Sequence, residues 1–115
     1  MKREFVETEL FAKTWKALKL TDDELKELQN TLLENPAAGS LIRGAGGARK
    51  VRIAFQGHGK SGSGRVIYID FMISERIYLL MAYPKNKLTS LSDAQKQTAR
   101  NLIGEIREEE RRHGK

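Results

Sequence analysis

Residues 49–55, Arg49-Lys50-Val51-Arg52-Ile53-Ala54-Phe55, place Val51, Ile53 and Phe55 at alternate positions with Lys50, Arg52 and Ala54 between them. A period of two marks a β-strand, here with one apolar and one cationic face. Downstream, Arg65–Ile73 and Arg76–Tyr83 are dense in Val, Ile, Tyr and Phe. Such near-continuous apolar runs are expected of central strands covered on both faces, with the cationic strand towards one side of the sheet. Gly57–Gly64 reads as the loop before them, Ser74-Glu75 as the tight hairpin turn between them, and Pro84 as the point where the chain turns away.

Upstream the period is helical. After a short extended start at Phe5 and Val6, residues Leu10, Phe11, Thr14, Trp15 and Leu18 share one helix face. Thr21 and Glu24 form a capping box for a second helix whose apolar side is Leu25, Leu28, Leu32 and Leu33. Asp22 and Asp23 suit the positive end of its dipole. Pro36 disfavours a helical conformation in Asn35 and so ends that helix. The two helices, joined by Lys19 and Leu20, form a hairpin with one apolar side. Downstream, Ser92 and Gln95 form a second capping box, for a final helix with Ala99, Leu102, Ile103 and Ile106 as its buried stripe. Past Arg107 the sequence is nearly all charged, with Glu108 spaced to pair with Arg111 or Arg112, and the end is expected to fray. The order of a short strand, two helices, three antiparallel strands and a helix gives an α+β fold in a single domain over residues 1–115.

Charge is distributed unevenly over this frame. Residues 35–69 hold six cations (Arg43, Arg49, Lys50, Arg52, Lys60 and Arg65), no Asp or Glu, and eight of the ten glycines. They account for the whole net charge of +6. A concentrated basic field fixed on a strand attracts phosphate, so a nucleic-acid partner is expected. The chain lacks cysteine and has two histidines, which excludes a disulfide framework, a thiol nucleophile and a Cys-based zinc site, and no metal or other cofactor is expected. The longest apolar run, Ile77–Tyr83, is far short of the roughly 20 residues that span a bilayer, and MKREFVETEL has no signal-peptide core. A cytoplasmic protein with no membrane partner is the expectation.

Gly59-Lys60-Ser61 resembles the end of a phosphate-binding P-loop, but that motif needs a glycine where Ala54 stands and a helix where a strand follows. The segment is read instead as a flexible hairpin loop presenting His58 and Lys60. Lys50 and Arg52, two apart on a strand, lie about 6.5 to 7 Å from each other on one face, close to the spacing of consecutive phosphates. Arg65 on a neighbouring strand offers a planar donor fork suited to phosphate. Arg49, Lys85, Asn86 and Lys87 would complete the rim, and Tyr68, Tyr78 and Tyr83 are candidates for base stacking. Cleavage of RNA by its own 2′-hydroxyl requires a base, positive charge for the phosphorane and an acid for the 5′-oxygen. Clustered cations lower one another's pKa, which would let a lysine act as the base, while lysine, His58 or a tyrosine would serve as the acid.

Several segments together resemble the RelE/HigB-type toxins of bacterial type II toxin-antitoxin pairs. They are Gly46-Gly47-Ala48-Arg49-Lys50-Val51-Arg52, Gly59-Lys60-Ser61-Gly62-Ser63-Gly64-Arg65-Val66-Ile67-Tyr68 and Ile77-Tyr78-Leu79-Leu80 leading to Tyr83-Pro84-Lys85-Asn86, with the opening Phe5-Val6-Glu7-Thr8 and Asn35-Pro36. The resemblance implies two N-terminal helices and a C-terminal helix packed on a twisted antiparallel sheet. It also implies a metal-independent endoribonuclease that cleaves mRNA on the ribosome and so inhibits translation, with a cognate antitoxin as partner. Carried over by position, Lys50, Arg52, Arg65 and Lys85 match the family's catalytic cations, and Lys60 a loop lysine of the HigB-like branch. Many relatives carry a tyrosine shortly after the last cation, whereas Asn86-Lys87-Leu88 has none, leaving Tyr68, Tyr83, His58 or a lysine for proton transfer. Two other functions are compatible with the fold and charge: a ParE-like poison of DNA gyrase, and a basic domain that binds RNA or ribosomes without cutting.

Overall fold

The computed structural model describes the backbone of residues 2–55, 60–84 and 91–114, and all of their side chains except those of 55, 60–63, 113 and 114. The elements run β1 (Glu4–Glu7), α1 (Glu9–Ala17), α2 (Asp22–Glu34), β2 (Ser40–Leu41), β3 (Arg49–Phe55), β4 (Lys60–Phe71), β5 (Arg76–Pro84) and α3 (Asp93–Gly114). The strands form one sheet in the order β1-β5-β4-β3-β2, antiparallel except where β1 pairs parallel with β5. The apolar strands β4 and β5 are interior and the cationic β3 lies towards one edge. No described helix is long and apolar enough to cross a membrane.

Strand alternation sorts the core into two layers. Val51, Val66, Tyr68, Ile77, Leu79 and Ala82 pack against Phe11, Trp15, Leu28 and Leu32 of the helical hairpin. On the other face Ile67, Ile69, Tyr78, Leu80, Met81 and Tyr83 pack against Ala99, Ile103 and Ile106 of α3. Full burial of a large apolar side chain contributes about 1.5 to 3 kcal/mol, so each layer supplies a substantial share of the folding free energy.

Both expected capping boxes form. In α2 the Glu24 amide donates to Thr21 Oγ1 at 3.1 Å and the Thr21 amide to Glu24 Oε1 at 2.8 Å. In α3 the Gln95 amide donates to Ser92 Oγ at 3.2 Å and the Ser92 amide to Gln95 Oε1 at 2.9 Å. The C-terminal end of α3 was expected to fray; the helix is continuous to Gly114 and is tied to the sheet by Glu110, which accepts from Tyr78 Oη at 2.6 Å and Arg76 Nη1 at 3.1 Å. Arg111 bonds Glu108, and Arg112 Nη2 lies 3.1 Å from Glu109 Oε1.

Beyond Leu79, where β1 stops, α1 takes over the edge of β5. Thr8 Oγ1 caps α1 by accepting from the Phe11 amide at 3.1 Å and donates to Leu79 O at 2.9 Å. Six residues on, Thr14 Oγ1 accepts the Ala82 amide at 2.9 Å. The helix thereby satisfies polar groups that a strand would otherwise have paired.

Three expectations are corrected. Lys60–Gly64 belongs to β4 rather than to a loop. The run ending at Ile73 stops at Phe71, and a four-residue turn, Met72–Glu75, replaces the two-residue one, with the Glu75 amide donating to Met72 O at 3.3 Å and Glu75 at φ +61°. Met72 and Ile73 are exposed there, so apolar character extended the sequence reading past the true strand end. Strand β2 had no counterpart in the reading, because two residues carry no period.

Candidate nucleic-acid interface

The register of β3 and β4 places Lys50 opposite Ile67 and Arg52 directly opposite Arg65. Residues opposite each other point to the same face, so Lys50, Arg52 and Arg65 share the face that carries α3, on a part of it that the helix leaves open. Ser40 of β2 is the register partner of Lys50. A pocket of about 380 Å³ opens among Ala38, Ser40, Lys50, Val51, Arg52 and Arg65, with no acidic residue in its lining. The Arg65 guanidinium also donates to Gly64 O at 3.0 Å. Two guanidinium groups and an ammonium around one concavity have the charge and donor geometry to accept the oxygens of a phosphodiester or of a more highly charged phosphorane.

The far wall of the pocket is a short strut, residues 36–40, held by side chains from the opposite layer. Tyr68 Oη donates to Pro36 O at 2.7 Å and accepts from the Gly39 amide at 3.0 Å. Arg49 Nη1 donates to Gly39 O at 2.7 Å. Gly39 lies so close to β3 that an added Cβ would meet Lys50 O at 2.5 Å and Tyr68 Cε1 at 3.0 Å. Ala38 and Ser40 are therefore presented at a fixed distance from the cations.

Tyr68 is expected among RNA-contacting residues, and this is corrected: it is fully buried against the helical hairpin, with no ring face open to a base. Burial raises its phenol pKa, offset in part by the Gly39 amide and the Arg49 charge. Arg49 lies opposite Tyr68, on the face away from Lys50, Arg52 and Arg65, and braces the strut. Strand parity carried both corrections in advance, since an odd offset along a strand separates Arg49 from Lys50 and Tyr68 from Arg65. Tyr78 is bound to Glu110 beneath α3. Tyr83, in contrast, stands directly opposite Arg65, and its buried hydroxyl has no hydrogen-bond partner among the described residues. Desolvation raises the Tyr83 pKa and the Arg65 charge draws it partly back, so the phenol keeps its proton at neutral pH.

Lys60 is the first residue of β4, opposite Phe55. His58, Lys85, Asn86 and Lys87 lie outside the described residues. Ala38, Gly39 and Ser40 were not singled out in the sequence; the signal was a run of small residues, Ala37-Ala38-Gly39-Ser40, between a helix-ending proline and the cationic strand.

Residues 3–112 match the model of the family described as the RelE toxin of the RelE/RelB toxin-antitoxin system. Among solved structures, the E. coli toxin RelE, as a double arginine-to-alanine mutant in the free state, superposes with a TM-score of 0.53 over 77% of this chain and 90% of that one, at 17% identity. At that identity the superposition speaks for the fold, the same α+β arrangement of helices on an open, mostly antiparallel sheet. With the family match running over nearly its whole length, the chain belongs to the RelE toxin family.

Proposed function

We propose that this toxin is a metal-independent endoribonuclease that inhibits translation by cleaving mRNA on the ribosome, and that its antitoxin partner neutralises it by covering or distorting the cationic face. The observation that carries this reading is the Arg52–Arg65 pair with Lys50 two residues away, all on one open face.

The 2′-oxygen attacks the adjacent phosphorus, the bond to the 5′-oxygen breaks, and the products are a 2′,3′-cyclic phosphate and a 5′-hydroxyl. Arg52 and Arg65 neutralise the non-bridging oxygens, whose charge rises at the phosphorane, and an interaction stronger there than in the substrate lowers the barrier. The proton leaving the 2′-hydroxyl passes to a lysine, either Lys50, which lines the same pocket as the arginine pair, or Lys85, the family-implied counterpart. The acid for the leaving 5′-oxygen is a second lysine or His58, since the Tyr83 hydroxyl, although protonated and opposite Arg65, is buried in the core.

The test is induction of the chain alone, with mapping of RNA ends. Growth arrest, relief by Arg65→Ala and upstream fragments ending in 2′,3′-cyclic phosphate or 3′-phosphate are expected. Upstream 3′-hydroxyl ends would overturn the mechanism. DNA breaks with intact mRNA would assign the toxin to gyrase instead.

A further inference from the structure

We infer that the pocket between β3 and the 36–40 strut is a one-nucleotide subsite, in which the phosphate lies on Lys50, Arg52 and Arg65 and the attached nucleoside lies against Ala38 and Ser40. The inference rests on the reading of this face as an RNA site and adds which part of it selects the nucleotide.

Two features separate this pocket from a simple phosphate cradle. The first is its size and asymmetry. At about 380 Å³ it falls within the range of small-molecule sites, which begin near roughly 300 Å³, and it is far larger than a phosphate group needs. Its cations come from β3 and β4, whereas the strut contributes an alanine methyl and a serine hydroxyl. Phosphate on one side and an uncharged, partly polar ring system on the other is the chemistry of a nucleotide. The Ser40 hydroxyl has no hydrogen-bond partner among the described residues, and as both donor and acceptor it can meet a base edge or a ribose hydroxyl.

The second feature is the bracing of the wall. A two-residue strand has too little ladder to hold its own position, and β2 is held instead by the Tyr68 hydroxyl at Pro36 and Gly39 and by the Arg49 guanidinium at Gly39. The close approach of Gly39 to Lys50 O fixes the spacing between strut and cations. Specific discrimination requires a wall that does not yield to the wrong ligand, and Tyr68 and Arg49 are the positioning residues that provide it.

The experiment measures equilibrium binding of inorganic phosphate and of the 3′- and 5′-monophosphates of the four ribonucleosides to the full chain at one salt concentration. At least one nucleotide is expected to bind about tenfold or more tightly than phosphate, the scale of a single good contact. Ala38→Leu, which fills the nucleoside side, removes that advantage while leaving phosphate affinity within about twofold. Ser40→Leu does the same on an exposed strand should Ala38→Leu fail to fold. If every nucleotide binds no more tightly than phosphate, or if both folded variants keep the advantage, the subsite is overturned. Nucleotide preference without mRNA cleavage would leave the subsite standing and defeat the ribonuclease reading; cleavage without preference would do the reverse.

Discussion

Arg52 and Arg65 stand directly opposite each other across β3 and β4, two guanidinium-bearing side chains on one sheet face. Like charges in direct register repel, so this pairing by itself works against folding stability. Arg52→Gln is therefore expected to raise the melting temperature slightly or leave it unchanged, while slowing RNA cleavage. Removal of one electrostatic contact to a transition state typically costs about 10²- to 10³-fold in rate, and Arg52→Ala and Arg65→Ala should both fall in that range on translating ribosomes. An unaltered cleavage rate in both variants would remove these arginines from the chemistry.

The two buried tyrosines of the central strands predict opposite outcomes for the same substitution. Tyr68→Phe strips the buried Gly39 amide and Pro36 carbonyl of their partner and should cost about 1 to 3 kcal/mol in denaturant unfolding. Tyr83→Phe removes a hydroxyl that has no partner among the described residues and should leave stability within about 0.5 kcal/mol. Cleavage should change little as well, because a buried hydroxyl does not reach the leaving oxygen; a loss of about 10²-fold or more without loss of RNA affinity would instead identify Tyr83 as the donor.

Arg3 and Asp70 form a two-point ion pair, Nε–Oδ1 at 2.7 Å and Nη2–Oδ2 at 3.1 Å, with both side chains largely buried. It pins the entry to β1 against the end of β4, and the bond to Asp70 raises the Arg3 pKa further above its ordinary value. Loss of one member of a buried pair strands the other charge, so Asp70→Ala should destabilise the fold by about 3 to 5 kcal/mol. The double variant Arg3→Met with Asp70→Leu should recover much of that loss, as thermal melts would show.

The anchor of α3 makes stability depend on pH in a defined direction. Burial alone would raise the Glu110 pKa, but nearby Ser74, which makes no well-formed hydrogen bond, and the bonded Tyr78 and Arg76 outweigh it, and the net shift is downward. A depressed carboxyl pKa gives stability that is fully present above the unfolded-state value and is lost as pH falls through the lower folded-state one. Acid should thus weaken α3 docking below the ordinary carboxylate range of about 4 to 4.5, and Glu110→Gln should flatten the stability profile there. The Tyr78 phenol, pushed up to about 12 by burial first and then by Glu110, stays protonated through neutral pH and keeps donating.

How much of this was legible in the sequence depended on the range of the deciding interaction. The alternation in Arg49–Phe55 and the two capping boxes are local, and each appears in the fold as read. The partner of Arg65 was not local. A two-residue turn at Ser74-Glu75 would have paired Ile73 with Arg76, and so Arg65 with Pro84; the longer turn and the irregularity at Ile67/Tyr68 shift the register and bring Tyr83 opposite Arg65 instead. The strut was invisible for a related reason. Its position is imposed by Tyr68, nearly thirty residues away, rather than by any pattern of its own.

Because β2 spans only Ser40 and Leu41, opposite Lys50 and Arg49, the outer edge of β3 beyond Lys50 has no strand partner among the described residues. An uncovered sheet edge is a template on which another extended chain can add, and proteins discourage this with charge. Arg52 stands on that open length of strand. Arg52, proposed above to grip phosphate, therefore also guards the edge against self-association, so a variant neutralised there to abolish toxicity is expected to polymerise, and replacement by glutamate to disarm the proposed site while keeping the edge charged.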